Sequence, residues 1–231
     1  MTDPATLHLQ PAAPLAERVL LPGDPHRALA VAQALLDGPK MFNHNRGLWG
    51  YTGTARDGEL LSVQSTGMGG PSAAIVVEEL IDLGARTLVR IGTCGALREG
   101  LKLGELVTAA EVIATDGTSA ALGAERRLTP DEALTSTLVA GGARPVTALT
   151  TDLFYDPRGD ALVEWVADGA DVVEMEAATL LAVADRRGVA AAVVLGVTDL
   201  LAAGGRERMP RAEVEPLGIA LGEAGWAAVS R

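Results

Sequence analysis

LLSVQSTGMGGPSAAIVVEELIDL, residues 60–83, contains the pattern that decides the fold class of this chain. Its first four residues form a short apolar run of the kind found in buried strands, and a glycine-rich loop over residues 65–71 follows. Beyond the loop, apolar residues recur at helical spacing, and Pro71 suits the first turn of a helix. The stretch therefore predicts a strand, a loop and a helix in succession.

The same succession recurs along the chain. Helical patterns run from Glu174 to Arg187 and onward from about Pro210. Strands that alternate with helices indicate an α/β fold with a substantially parallel sheet, in which ligands bind where loops leave the carboxyl ends of strands. The other apolar runs that predict strands cover residues 19–21, 87–91, 106–113, 145–149, 171–173 and 190–197.

Length and charge narrow the class of protein. The chain has 231 residues, enough for one large domain or two small ones with a core that needs neither disulfides nor metals. A formal net charge of −11 argues against binding to nucleic acid or to an anionic membrane surface. The single cysteine fits a reducing compartment, and no apolar stretch approaches the ~20 residues that cross a bilayer. We therefore expect a cytoplasmic protein.

Arginines lie beside glycines or hydroxyls in three predicted loops. Gly23 and Arg27 follow one predicted strand, Arg90 and Thr93 lie at the end of another, and Arg46 stands in a polar loop. Backbone amides, a hydroxyl and guanidinium groups are the donors that a phosphate requires. Each loop taken alone is more typical of a turn with a surface arginine, because glycine-rich loops are common in α/β folds.

Two acidic motifs follow apolar strands. Val173-Glu174-Met175-Glu176 opens a predicted helix, where its carboxylates could stabilise the helix dipole or accept hydrogen bonds from the vicinal hydroxyls of a sugar. Asp199 ends the most hydrophobic strand, where it could cap a helix or act as a partly desolvated proton donor. The three histidines and one cysteine show no metal-ligand spacing, so no metal site is expected.

Seven segments in order resemble the nucleoside phosphorylase superfamily, which includes the hexameric bacterial purine nucleoside phosphorylases and the uridine phosphorylases. They extend from about His8 to Asp199. The resemblance implies one α/β domain over residues 1–231, with a central mixed, distorted β-sheet flanked by helices, and a homohexamer built as a trimer of dimers. The segments are LLPGDPHRA, NHNRGLWGYTGT, STGMGGPSAAIVVEEL, VRIGTCGAL, TTDLFYDP, VVEMEAATLL and GVTDLL.

The resemblance also implies roles for individual residues. His8 and Arg46 are expected to complete the site of a neighbouring subunit, with His8 at the sugar 5′-hydroxyl. The positions that match the phosphate-binding set are Gly23, Arg27, Arg46, Arg90 and Thr93. Those that match the ribose-binding set are His8, Met68, Glu174, Met175 and Glu176. Those that match the base-binding set are Phe154, Val173 and Thr198.

Two features favour a purine over a pyrimidine base. Uridine phosphorylases carry an inserted Gln-x-Arg segment that reads the uracil edge, and residues 156–173 contain no such pair. Purine enzymes have Ser-Asp at the end of the late strand, whose aspartate donates a proton to N7, and Thr198-Asp199 fits that pattern. Against these features, STGMGGPSAAIVVEEL and EMEAATLL are closer to the uridine enzymes. Arg211, or alternatively Arg208, is expected to assist Asp199.

The activity that the resemblance implies is phosphorolysis of purine (2′-deoxy)ribonucleosides to the free base and (deoxy)ribose 1-phosphate. Asp199 is the expected proton donor and inorganic phosphate the co-substrate, with no cofactor. A uridine phosphorylase is the first alternative. A nucleosidase, which uses water in place of phosphate, would not need three phosphate arginines, and a non-catalytic nucleoside-binding module would not need Asp199 beside them.

Overall fold

The computed structural model describes residues 6–201 and 205–230. The strands within these ranges are β1 (Arg18–Leu21), β2 (Asp37–Asn43), β3 (Gly50–Thr54), β4 (Leu60–Gln64), β5 (Thr87–Ala96), β6 (Leu106–Ala114), β7 (Arg127–Leu128), β8 (Arg144–Thr150), β9 (Val172–Glu174), β10 (Ala190–Leu200) and β11 (Glu207–Arg208). The α-helices are α1 (Pro25–Leu35), α2 (Gly70–Asp82), α3 (Gly117–Ala121), α4 (Glu132–Ala140), α5 (Ala161–Ala167), α6 (Ala177–Arg187) and α7 (Arg211–Val229). None of the described helices is long and apolar enough to cross a membrane.

These strands form one mixed sheet. β1 pairs in parallel with β4 and β5, and β5 pairs in parallel with β10. From β10 the sheet continues through antiparallel β6, then β8 and β9, and β9 returns antiparallel to β5. Five strands thereby close on one another, whereas β1, β4, β3 and β2 extend from them as an open sheet. The predicted α/β domain with a mixed, distorted sheet is confirmed.

Aliphatic side chains fill both faces of the sheet. Helices α2 and α6 pack together in one buried cluster, and α1, α4 and α7 contribute to a second. Successive residues of β1 alternate between the clusters, with Val19 and Leu21 in the first and Leu20 in the second, as the pleat of a strand requires. The helices therefore cover opposite faces and leave the strand ends open.

Strand β5 is longer than the apolar run at residues 87–91 predicts. Gly92 and Gly95, which resemble strand ends in the sequence, lie inside the strand. A Cβ atom on Gly92 would come within 2.6 Å of Arg90 Nη2, and one on Gly95 within 2.7 Å of Leu201 Cδ1. Glycine is needed at these two positions because other side chains approach the backbone closely.

Two other sequence expectations differ from the structure. The helix predicted from Glu174 begins at Ala177, because Glu174 is the last residue of β9. The β2–β3 hairpin was not predicted, because five of the seven residues of β2 are exposed and the strand lacks an apolar run. The short 3₁₀ turn at its tip, Asn45–Gly47, contains Arg46.

Candidate active site

A cavity of about 720 Å³ opens at the carboxyl ends of β1, β5 and β10. His8, Arg46 and Arg211 are absent from its lining. Among the described residues, no group of three or more His, Cys, Asp or Glu side chains is placed to hold a metal ion. The predicted site residues that the structure brings together around the cavity are Gly23, Arg27, Met68, Arg90, Thr93, Phe154, Val173, Glu174, Met175, Glu176, Thr198 and Asp199.

Arg90 is a buried charge at the floor of the cavity, only 4% exposed. Its Nε donates to Glu174 Oε2 at 2.9 Å, and its Nη2 lies 2.5 Å from Glu176 Oε2. Burial alone would lower the pKa of Arg90, but Glu176 and Glu174 together outweigh burial and raise it. Within the described residues Nη1 has no hydrogen-bond partner. Arg90 therefore keeps one donor available to an anion.

The carboxylate of Glu174 is fully engaged by the protein itself. Its oxygens accept hydrogen bonds from Thr150 Oγ1 at 2.5 Å and from the amides of Glu176 and Ala177 at 2.9–3.0 Å, besides the bond from Arg90. The side chain is completely buried and closes the amino end of α6. Glu174 therefore positions Arg90, and its expected ribose contact stays a prediction.

Arg27, in the first turn of α1, supplies a second cation beside Arg90. Burial and then the neighbouring charge of Arg90 lower its pKa. Gly23 and Thr93 line the same cavity. Two guanidinium groups that repel each other in a buried place, next to a glycine loop and a hydroxyl, form a site suited to a phosphate-sized anion.

Glu176 lies next to this anion site. One carboxylate oxygen accepts from the amide of Gly69, and the other pairs with Arg90. Burial raises the pKa of Glu176, although Arg90 opposes that shift. Met68 and Met175 line the cavity beside it. An anchored carboxylate flanked by thioether side chains can accept hydrogen bonds from a sugar diol while its apolar neighbours cover the ring.

Asp199 pairs with a different arginine from the one expected. Arg206 donates from Nε to its Oδ1 at 2.9 Å, Arg206 Nη2 lies 2.8 Å from the same oxygen as an ion pair, and Arg208 Nε lies 3.7 Å away. Thr198 donates to Oδ2 at 2.9 Å. Strand β11 folds back on β10, with Arg208 opposite Asp199, and so returns Arg206 to the carboxylate. Arg211 begins α7 beyond this hairpin and is absent from the cavity lining, so its assistance to Asp199 stays a prediction.

One wall of the cavity is apolar and contains an aromatic ring. Phe154 is 52% exposed, and the guanidinium carbon of Arg206 lies 5.1 Å from its ring centroid. Val173, Trp165 and Leu201 contribute to the same lining. A flat heterocycle could therefore lie against Phe154 within reach of the Asp199–Arg206 pair. Sequence reasoning missed Arg206, because its pairing depends on the β10–β11 register.

His8 and Arg46 lie together on the surface of the chain, apart from the lining of its own cavity. The carbonyl of His8 accepts from Asn45 Nδ2 at 2.9 Å, which ties the amino-terminal segment to the turn that contains Arg46. Arg46 is exposed and has a φ of 58°, the one positive φ at a non-glycine residue in the described ranges. Such strained backbone clusters at functional sites.

Helix α7 packs closely against the Arg27 side chain at Gly218, where the absence of a side chain leaves room for it. A methyl group on Gly218 would come within 3.1 Å of Arg27 Cγ and 3.4 Å of its Nε. We therefore expect Gly218→Ala to displace the guanidinium and weaken phosphate binding about tenfold, measured by titration calorimetry. Gly141→Ala, at an exposed helix end with ordinary contacts, should leave phosphate affinity unchanged. Equal phosphate affinity in the two variants would contradict this role.

Comparisons with known proteins agree with this geometry. The family model described as "Phosphorylase superfamily" matches residues 17–222. A "Purine nucleoside phosphorylase DeoD-type" of Clostridium perfringens (strain SM101) is 39% identical over 198 residues, covering 81% of this chain and 83% of that protein. Proteins of the same name from Caldanaerobacter subterraneus subsp. tengcongensis and Geobacillus kaustophilus are each 39% identical, over 82% of this chain and 85% and 84% of theirs. The chain therefore belongs to the phosphorylase superfamily.

Proposed function

We propose that the protein cleaves purine (2′-deoxy)ribonucleosides with inorganic phosphate, giving the free base and (deoxy)ribose 1-phosphate. The observation that carries the proposal is one cavity lined by Arg27 and by Arg90, whose buried Nη1 has no hydrogen-bond partner among the described residues, and also by the Asp199–Arg206 pair and the Phe154 ring. The similar DeoD-type proteins, named as purine nucleoside phosphorylases, support the choice of base. No cofactor enters the proposal.

Phosphate is the proposed nucleophile. The phosphate is held by Arg27, Arg90, the Gly23 loop and Thr93. One of its oxygens forms a bond to C1′ of the sugar as the bond from C1′ to N9 of the base breaks. The bonding electrons leave with the base. Positioning and charge stabilisation supply most of the rate enhancement, because no covalent intermediate with the protein is needed.

Because of the charge balance of the site, a further cation would be needed to bind a phosphate dianion. The formal charges of Arg27 and Arg90 are cancelled by those of Glu174 and Glu176, which all line the cavity. A phosphate dianion in this buried place requires further positive charge. Arg46 from a neighbouring subunit is the proposed source, as it is exposed and apart from its own cavity.

Glu176 and Asp199 divide the remaining chemistry. Glu176 accepts hydrogen bonds from the sugar hydroxyls and stabilises positive charge that develops on the sugar ring as the glycosidic bond loosens. In its protonated form, Asp199 donates its proton to N7 of the purine as the bond to C1′ breaks, and Arg206 stabilises the carboxylate that remains. A uracil base has no N7, so this pair favours purine over the uridine phosphorylase alternative.

Self-association completes the proposed site. We place His8 and Arg46 at the cavity of a neighbouring copy within a homohexamer, a trimer of dimers. Leu7, whose amide donates to Glu79 of α2, and Ile75, one turn before Glu79 in α2, are exposed apolar residues near His8 that such an interface would cover. A cytoplasmic location is proposed because Cys94 is the single cysteine and its thiol is free.

Asp199→Asn tests the proposed acid. We expect inosine phosphorolysis to fall about 10²–10⁴-fold, the usual contribution of a general acid, while phosphate affinity persists. Asp168→Asn is the matched control, since Asp168 pairs with Arg126 on the surface. Release of hypoxanthine is measured with and without phosphate and compared with uracil release from uridine. Near-normal turnover by Asp199→Asn, turnover without phosphate, or a preference for uridine would each contradict the proposal.

Arg206→Ala and Arg211→Ala separate the two arginines near the acid. Loss of Arg206 removes one hydrogen bond and one ion-pair contact to Asp199 Oδ1, so kcat for inosine should fall roughly 10–100-fold. Arg211→Ala should leave kcat within about twofold, because Arg211 lies outside the cavity lining. The kcat values of the two variants are measured by steady-state kinetics at saturating phosphate. A larger loss of kcat in Arg211→Ala than in Arg206→Ala would show that Arg211 assists Asp199.

Mixed oligomers test the donation of Arg46. Arg46→Ala and Asp199→Asn should each be strongly impaired alone. In a mixed dimer one of two sites would keep both native residues, so random mixing should restore roughly a quarter of wild-type activity. The variants are co-expressed with different affinity tags, and the doubly tagged oligomer is assayed. Activity no greater than that of the separate variants would show that both residues act within one chain.

A further inference from the structure

We propose that Glu79 positions His8: it fixes which nitrogen of the His8 ring meets the 5′-hydroxyl of a nucleoside in the neighbouring subunit. The inference rests on the proposed function, since that function places His8 at the neighbour's sugar. Glu79 belongs to α2, lies outside the cavity lining and matches none of the site residues predicted from the sequence.

The Glu79 carboxylate binds three consecutive backbone amides of the amino-terminal segment. It accepts hydrogen bonds from the amides of Leu7 at 3.2 Å, His8 at 3.0 Å and Leu9 at 2.7 Å. The Glu79 side chain is only 13% exposed. Hydrogen bonds to a charged, largely buried acceptor are stronger than ordinary ones, so this contact orders the segment.

The segment is held from two further sides. Leu9 is fully buried in the hydrophobic core. Asn45 donates to the carbonyl of His8 at 2.9 Å, and Asn43 accepts from the amide of Gln10 at 2.9 Å. The backbone around His8 therefore has a defined position relative to the Arg46 turn, and His8 and Arg46 form one rigid unit that a neighbouring subunit could meet.

The remaining contact of Glu79 reaches the His8 ring itself. Nδ1 of His8 lies 2.7 Å from Glu79 Oε1. An ionised carboxylate can only accept, so Nδ1 bears the hydrogen, and Nε2 of a neutral ring is then the acceptor. Within the described residues no hydrogen bond engages Nε2, and the ring is 29% exposed. A sugar hydroxyl can therefore donate to Nε2.

Glu79 remains ionised under ordinary conditions. Burial alone would raise its pKa, but the hydrogen bonds from Leu9, His8 and Leu7 together lower it below its ordinary value. A carboxylate with a lowered pKa contributes stability above its unfolded-state pKa and loses it as pH falls through the folded-state value. The Glu79 carboxylate is therefore ionised near neutral pH and remains an acceptor for Nδ1 of His8.

Glu78, the preceding residue, offers a matched control. Its carboxylate pairs with Arg187 on the surface, where both side chains are about one-third exposed. An exposed ion pair of this kind contributes little to stability. Glu78→Gln therefore makes the same chemical change as Glu79→Gln without touching the His8 segment.

The test compares inosine with 5′-deoxyinosine, which lacks the hydroxyl in question. Glu79→Gln should lower kcat/KM for inosine about tenfold, mainly through KM, and leave 5′-deoxyinosine within about twofold. His8→Gln should show the same selective loss, and the double variant should lose no more than either single one, because the residues act through one contact. Glu78→Gln should behave as wild type.

Equal losses on both nucleosides, or additive losses in the double variant, would overturn the inference and leave Glu79 a structural residue. Binding of the two nucleosides, measured by calorimetry, gives the same comparison without turnover. An absence of inosine phosphorolysis in the wild type would instead contradict the proposed function. If Glu79→Gln does not fold, Glu79→Asp keeps the negative charge but moves the carboxylate away from the His8 ring. The same loss of kcat/KM for inosine, without a loss for 5′-deoxyinosine, is then expected.

Discussion

The site depends on the burial of one arginine between two carboxylates. Removing a charge from water costs several kcal/mol unless it is paired, so Arg90 in β5 is stable only because Glu174 and Glu176 lie beside it. Glu174 ends β9 and closes the start of α6, so the same contacts fix the strand and the helix relative to β5. Among the described residues these contacts leave Nη1 of Arg90 without a hydrogen-bond partner, so the same ion-pair network could also bind an anion.

Glycines, which have no side chain, are as important for the geometry of the site as its charged residues. Gly92 leaves room above β5 for the Arg90 guanidinium, and Gly218 leaves room in α7 for the stem of Arg27. The amide of Gly69 donates a hydrogen bond to Glu176. Gly69 has a φ of 84°, a value that glycine adopts without strain. These glycines lie in three separate elements. Sequence inspection assigns them to turns or helices, and their shared purpose is visible only in the folded chain.

Much of the site was predictable because parallel strands converge. Gly23 follows β1 and Thr93 lies in the carboxyl-terminal half of β5, and both line one cavity, as the convergence of parallel strands predicts. The partner of Asp199 was not predictable, since Arg206 reaches it through a two-residue strand with no apolar pattern. The protein contacts of Glu174 were not predictable for a similar reason: the donors that bind its carboxylate, Thr150 among them, come from other elements.

The sequence by itself determined the α/β class, the family pattern and the chemical groups at the site, because apolar periodicity and short motifs are local properties. Tertiary structure alone decided which charge meets which. It paired Arg206 with Asp199, bound Glu174 to Arg90, and joined His8 to Glu79, 71 residues away along the chain. Hydrogen bonds and ion pairs depend on separations of about 3 Å in space, and strand register and helix packing set those separations.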